Sequence, residues 1–150
     1  RFAKQTNPSA NPRHDLDFIM RAKEMDPDAD MVVVFGGTND FGHGDAPLGF
    51  MEDTTNDTFY GSLHILMTKL IEKYPGTPIV FMTPLHRTVE DNHFGDGHFK
   101  KYPDHPLKDY VYAIKEVADL VVLGLWLWRH LEDIAAILLS EVCKWRYNRY

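Results

Sequence analysis

The chain has one cysteine, Cys143, in 150 residues. No internal disulfide and no cysteine-based zinc site is therefore open to it. Long apolar runs are missing too. The longest, Leu120 to Trp128, is far short of a membrane span. Positive charge is scarce: 16 Lys and Arg stand against 22 Asp and Glu, a formal net charge of -6. That balance argues against a nucleic-acid or anionic-membrane partner, and the short basic cluster Lys144, Arg146 and Arg149 is too small to reverse it. No glycine-rich phosphate loop opens a helix, which weighs against a nucleotide or flavin binder. Low cysteine usage fits a reducing, cytoplasmic setting. The chain starts at Arg1 rather than at a methionine, so a preceding segment is expected and secretion is left open.

Hydrophobic residues make up 44 % of the chain and charged residues 25 %, ordinary values for one globular domain. Arg1 to Pro12 reads as a polar loop. Leu16, Ile19 and Met20 recur at helical spacing between His14 and Met25, and Pro27 ends that helix. Met31 to Phe35 is a continuous β-branched and apolar run, the pattern of a strand buried on both faces of a parallel sheet. A loop is expected from Gly36 to Asp57. Phe59, Leu63, Leu66, Met67, Leu70 and Ile71 mark one face of a helix that stops near Pro75-Gly76. Pro78 to Met82 is a second buried strand. The polar loop Leu85 to His105 holds four of the eight histidines, and loops of that length tend to be functional. Leu107, Tyr110, Val111, Ile114, Val117 and Ala118 predict a third helix, Val121 to Leu127 a third strand, and Leu131, Ile134, Ala135, Leu138, Leu139 and Val142 a last amphipathic helix. This alternation predicts a single α/β domain with a doubly wound parallel sheet, whose ligands sit beyond the carboxyl ends of the strands.

Two loops meet that description, and the first is the richer. Val33-Val34-Phe35-Gly36-Gly37-Thr38-Asn39-Asp40 carries two glycines, an Asn and an Asp to the rim of the sheet. Glycine there lets the backbone bend sharply and lets a substrate approach. An Asn amide on that rim can donate a hydrogen bond to a developing oxyanion. A strand-ending turn whose Asn and Asp bond local backbone fits the same residues.

The wider context favours chemistry. Gly37-Thr38-Asn39-Asp40 resembles the Gly-x-Asn-Asp block of the SGNH (GDSL-like) hydrolases. The likeness runs through Phe41-Gly42-His43-Gly44, Asp57-Thr58-Phe59-Tyr60-Gly61-Ser62-Leu63, Pro78-Ile79-Val80-Phe81-Met82-Thr83-Pro84-Leu85-His86-Arg87, and Pro106-Leu107-Lys108-Asp109-Tyr110. It covers about residues 1 to 120. The resemblance implies a three-layer α/β/α, flavodoxin-like fold and hydrolysis of a small-molecule ester by acyl transfer to a serine. It implies Asn39 as oxyanion donor, Gly37 shaping its loop, and Asp40, His43, His86 and Arg87 as candidate substrate contacts. No cofactor and no metal are implied.

The departures are as definite. The family's Gly-Asp-Ser block is absent; Gly44-Asp45-Ala46 lacks the hydroxyl and lies on the wrong side of the Asn. Ser9, Ser62 and Ser140 sit in a polar loop and on two expected helices, not beside a base. The Asp-x-x-His pair is missing as well. The domain is thus expected to be truncated at its N-terminus, with residues 121–150 as an atypical tail whose Trp145, Tyr147 and Tyr150 are a candidate homo-oligomer surface. The alternative function is a catalytically inactive α/β module that binds a ligand or partner. The cluster Glu90, Asp91, His93, Asp96 and His98 matches no zinc or EF-hand spacing, and it is assigned no metal.

Overall fold

The computed structural model describes residues 1–4, 17–44, 46–87 and 105–129, and of 125–129 the backbone alone. The order is α1 (Phe18–Lys23), β1 (Val32–Phe35), α2 (Thr38–His43), α3 (Phe59–Lys73), β2 (Ile79–Met82) and α4 (Leu107–Arg129). Arg1–Ala118 forms one compact unit and Asp119–Tyr150 another.

β1 and β2 pair in parallel, with Val32 opposite Ile79 and Phe35 opposite Met82. Parallel neighbours need a crossover, and α3 lies within it. The protein is therefore of mixed α/β class. Val32 and Val34 turn into the core, while Val33 and Phe35 turn out, the period-two consequence of an extended backbone.

α3 starts where Thr58, in extended backbone, accepts a hydrogen bond from Gly61 N–H at 3.1 Å. Such a cap stabilises a helix by about 1 kcal/mol. Its buried face is Phe59, Leu63, Leu66, Met67 and Leu70, the spacing read from the sequence; full burial of each such side chain contributes roughly 1.5–3 kcal/mol. α1 is capped by Asp17, which accepts from Met20 N–H at 2.8 Å. From α3, Lys73 Nζ reaches across to donate to the carbonyls of Ala22 and Met25, at 2.9 and 2.7 Å. The Ala22 carbonyl is one that the last turn of α1 leaves without a partner, and the Met25 carbonyl lies just beyond the helix end.

The first unit is knitted by aromatic edges. Phe2 meets Phe18 and Phe59 with ring centroids 4.8 and 5.5 Å apart, and Tyr110 meets Phe59 and Phe41 at 4.8 and 5.8 Å. Offset and edge-on pairs of this kind each contribute about 0.5–1.5 kcal/mol beyond area burial. Tyr60 O–H donates to Glu116 Oε2 at 2.5 Å, tying α3 to α4. Burial and that bond hold the Tyr60 phenol well above its ordinary value.

Three expectations are corrected. Neither strand is buried on both faces, since Val33 and Phe35 of β1 and Val80 and Met82 of β2 are exposed. The segment 121–127 is helical, not a strand, because α4 runs from Leu107 to Arg129. Between Ala118 and Val121 stand only Asp119 and Leu120, with no glycine or proline to stop a helix already begun. Adding a residue to a formed helix is far easier than nucleating a new element. Gly124 costs that helix about 1 kcal/mol, too little to break it. The stretch 36–57 is not wholly irregular either, since α2 occupies Thr38–His43. Among the described residues the sheet has two strands; the expected last helix, the aromatic residues Trp145, Tyr147 and Tyr150 and the His/Asp-rich cluster at 90–98 lie outside the described residues. No described helix is long and apolar enough to cross a membrane.

Candidate functional site

Because β1 and β2 are parallel and Phe35 pairs with Met82, their following loops leave the same edge of the sheet. Gly36-Gly37 and Thr83-Pro84 emerge side by side. The contact is close: a Cβ at Gly37 would stand 3.0 Å from Pro84 Cγ and 3.4 Å from Ile114 Cδ1. Gly37 also has φ +98° and caps α2, a conformation that L side chains rarely adopt. Gly36 is hemmed by Phe18 and Phe2, each 2.8 Å from a Cβ placed there. Both glycines are required by the packing, so the chain turns from β1 into α2 within two residues.

That turn sets the roles of two adjacent side chains. Asn39 and Asp40 lie in the first turn of α2, about 100° apart around the axis. Asn39 is exposed and Asp40 is buried. The Asp40 carboxylate accepts from Ala3 N–H at 2.9 Å through Oδ1 and from Phe2 N–H at 3.1 Å through Oδ2. Burial pushes its pKa above the ordinary carboxylate value, opposed by these two amides and by the Arg1 guanidinium. Expected among substrate contacts, Asp40 instead holds residues 2 and 3 against α2. The physical reason is its position on the inward face, where both oxygens are engaged by main-chain donors.

His43, one helical turn beyond Asn39, is exposed. Its pKa is lowered by desolvation first and then by the charge of Arg1, with Arg87 among the smaller contributions. The imidazole is therefore held toward its neutral form. His86 is exposed and Arg87 half-buried on the loop after β2. Arg87 stacks over the Phe41 ring with 5.5 Å from guanidinium carbon to centroid, and its Nη1 lies 3.5 Å from the Thr38 carbonyl oxygen. The two rim loops are thus joined through Arg87, Thr38 and Phe41. Arg87 is an expected site residue, whereas Phe41, Thr38 and Pro84 are related to it only by the adjacency of the two parallel strands.

Ser62 is fully buried, and its hydroxyl donates to the Thr58 carbonyl at 2.7 Å. It is a helix-backbone hydroxyl, not an activated nucleophile. Ser9 and Ser140 lie outside the described residues. His64 donates from Nε2 to the Met51 carbonyl at 2.8 Å. Among the described residues no group of three or more His, Cys, Asp or Glu side chains is placed to hold a metal ion. Two described grooves, one beside Met51 and His64 and one beside Phe18 and Val33, do not include Asn39.

Comparison with known proteins yields no matching family model and no matching curated protein. Two solved structures are similar. One is a protein from Lactobacillus plantarum, 32 % identical, with a TM-score of 0.59; the match covers 69 % of this chain and 49 % of that one. The other is 31 % identical with a TM-score of 0.63, over 81 % of this chain and 53 % of that one. The chain therefore spans about half the length of the structures it matches.

Proposed function

We propose that this chain is the oxyanion-hole portion of an SGNH/GDSL-type ester hydrolase, within a three-layer α/β/α sheet protein. The observation that carries the reading is the orientation of Asn39. Its side chain is exposed in the first turn of α2, directly past the carboxyl end of a parallel strand, while its neighbour Asp40 turns inward. This is the edge where α/β sheets bind ligands. A carbonyl oxygen seated there gains negative charge as a nucleophile adds to its carbon. Asn39 would donate an N–H to that oxygen, an interaction that strengthens as the charge develops. Removing one such donor costs about 10²–10³ in kcat. Gly37 gives the backbone its turn, and Arg87 holds the opposite rim loop against α2.

The buried hydroxyl of Ser62, and the want of a Gly-Asp-Ser or Asp-x-x-His block, favour a second reading for the chain in isolation. In it the chain binds an ester-like ligand without turning it over. A chromogenic short-chain acetate separates the two. Slow hydrolysis that Asn39→Ala abolishes, with the circular dichroism spectrum unchanged, supports the hydrolase. A folded, monodisperse chain with no turnover supports the binding module. Hydrolysis indifferent to Asn39→Ala would remove the oxyanion role altogether.

A further inference from the structure

The rim beside Asn39 is charged against the trend of the chain. Overall, 16 Lys and Arg stand against 22 Asp and Glu. Within residues 36–44 and 83–87, the two segments that leave the sheet side by side, the one carboxylate is Asp40 and the one Lys or Arg is Arg87. Asp40 is 6 % exposed and accepts from the amides of Phe2 and Ala3, so its charge is spent inward. Arg87 is half-buried and reaches α2 from the opposite loop.

Two contacts position that guanidinium. Its carbon lies 5.5 Å from the Phe41 ring centroid, and Nη1 lies 3.5 Å from the Thr38 carbonyl oxygen. Thr38 and Phe41 are three residues apart and share one flank of α2, while Asn39 and His43, four apart, share the adjoining flank, where both are exposed. The cation is thus held within one helical turn of the Asn39 amide. A guanidinium has five N–H donors in a planar fork, so an anion joins the partners Arg87 already has without displacing them. The exposed flank responds to this charge. His43 is held toward its neutral form by desolvation first and then by Arg1, with Arg87 adding to the effect and Asp40 opposing it.

We propose that the ester taken at this rim carries an anionic oxygen group, a carboxylate or a phosphate, held by Arg87 while Asn39 serves the ester carbonyl. The inference rests on the reading of Asn39 as oxyanion donor and adds to it the charge of the substrate. An arginine fork suits this class of group because two parallel N–H donors meet two oxygens at once. A neutral ester makes no use of that fork. Recognition by Arg87 also works at a distance from the reacting carbon, so it selects among esters without taking part in the acyl transfer.

Three acetate esters of similar size test it on the whole chain: acetoxyacetate, acetoxyethyl phosphate and the neutral acetoxyacetamide. Nitrogen–proton NMR titration follows the side-chain amide of Asn39 and the Nε–H of Arg87. At least one of the two anionic esters is expected to bind about tenfold or more tightly than the amide, and which of them does so identifies the anion. Added salt should narrow the gap. Arg87→Gln is expected to bring the three affinities together while leaving that for acetoxyacetamide unchanged, which a merely structural loss would not do. Lys69→Gln, exposed on α3, is expected to leave the preference intact. If Arg87→Gln fails to fold, the parent's Arg87 Nε–H decides: anionic esters should move it and the amide should not, and equal movement by all three overturns the proposal. Equal affinity for the three esters, with the Asn39 amide responding, overturns the anionic group and leaves the hydrolase reading standing. No response at Asn39 to any ester overturns both. A preference kept in Arg87→Gln, or lost in Lys69→Gln, assigns the charge effect elsewhere and overturns the proposal equally.

Discussion

Asp40→Ala isolates the contact that joins residues 2 and 3 to α2. The carboxylate is 6 % exposed and accepts two main-chain N–H groups, from Ala3 at 2.9 Å and Phe2 at 3.1 Å. Truncation leaves both donors in a buried site. An unsatisfied buried donor costs about 1–3 kcal/mol, so two cost roughly 2–6 kcal/mol. Release of a desolvated charge offsets part of this, which makes a net loss of about 2–3 kcal/mol the expected value. Urea unfolding followed by far-ultraviolet circular dichroism measures it directly. Asp40→Asn retains one acceptor and should fall between the two. The pH dependence is an independent check on the same group. Burial raises the folded-state pKa above the unfolded value, so on raising the pH the unfolded chain loses this proton first. Stability associated with Asp40 is therefore greatest below the ordinary carboxylate pKa. It is lost as pH rises through the folded value, and is level above both. Asp40→Asn should remove that fall. An Asp40→Ala protein within about 0.5 kcal/mol of the parent, or a pH profile that Asp40→Asn leaves unchanged, would refute the reasoning.

Gly37→Ala places a side chain at φ +98° and 3.0 Å from Pro84 Cγ. Left-handed backbone alone costs an alanine about 1–2 kcal/mol, and a lowered Tm in a thermal scan should report at least that. Ser62→Ala is expected to be nearly silent in both stability and ester turnover. The carbonyls its hydroxyl serves keep other donors, Ser62 N–H for Thr58 at 3.0 Å and Lys4 N–H for Asn56 at 3.2 Å. The change should cost no more than about 1 kcal/mol in urea, and a substantial loss of turnover would reinstate Ser62 as a participant.

β1, α3 and β2 were readable because each is specified by its own pattern. β1 and β2 are β-branched or apolar runs, and the buried face of α3 repeats at helical spacing from Phe59 to Leu70 with Thr58 as cap. The Gly37-Thr38-Asn39-Asp40 segment was likewise found from type and position, since glycines that end a strand and polar groups that follow it are local features. α2 was not legible. Six residues flanked by left-handed Gly37 and Gly44 have no intrinsic helical stability, and α2 persists because Phe41 is packed against Tyr110 and Asp40 is bonded to residues 2 and 3. The extent of α4 was misread for a related reason. The pattern Val121 to Leu127 suits a strand or a buried helix equally, and the helix already running from Leu107 decided between them.

What the sequence determined alone is the chemical inventory at the sheet's edge: a glycine pair, an amide, a carboxylate, histidines and an arginine, with no cysteine and no seryl block. What tertiary structure alone decided is which of these meets solvent. Asn39 and Asp40 are neighbours of similar size and polarity, and no local rule separates them. Their 100° offset on α2, together with the amides of Phe2 and Ala3 on the inner side, turns the carboxylate inward and leaves the amide outside.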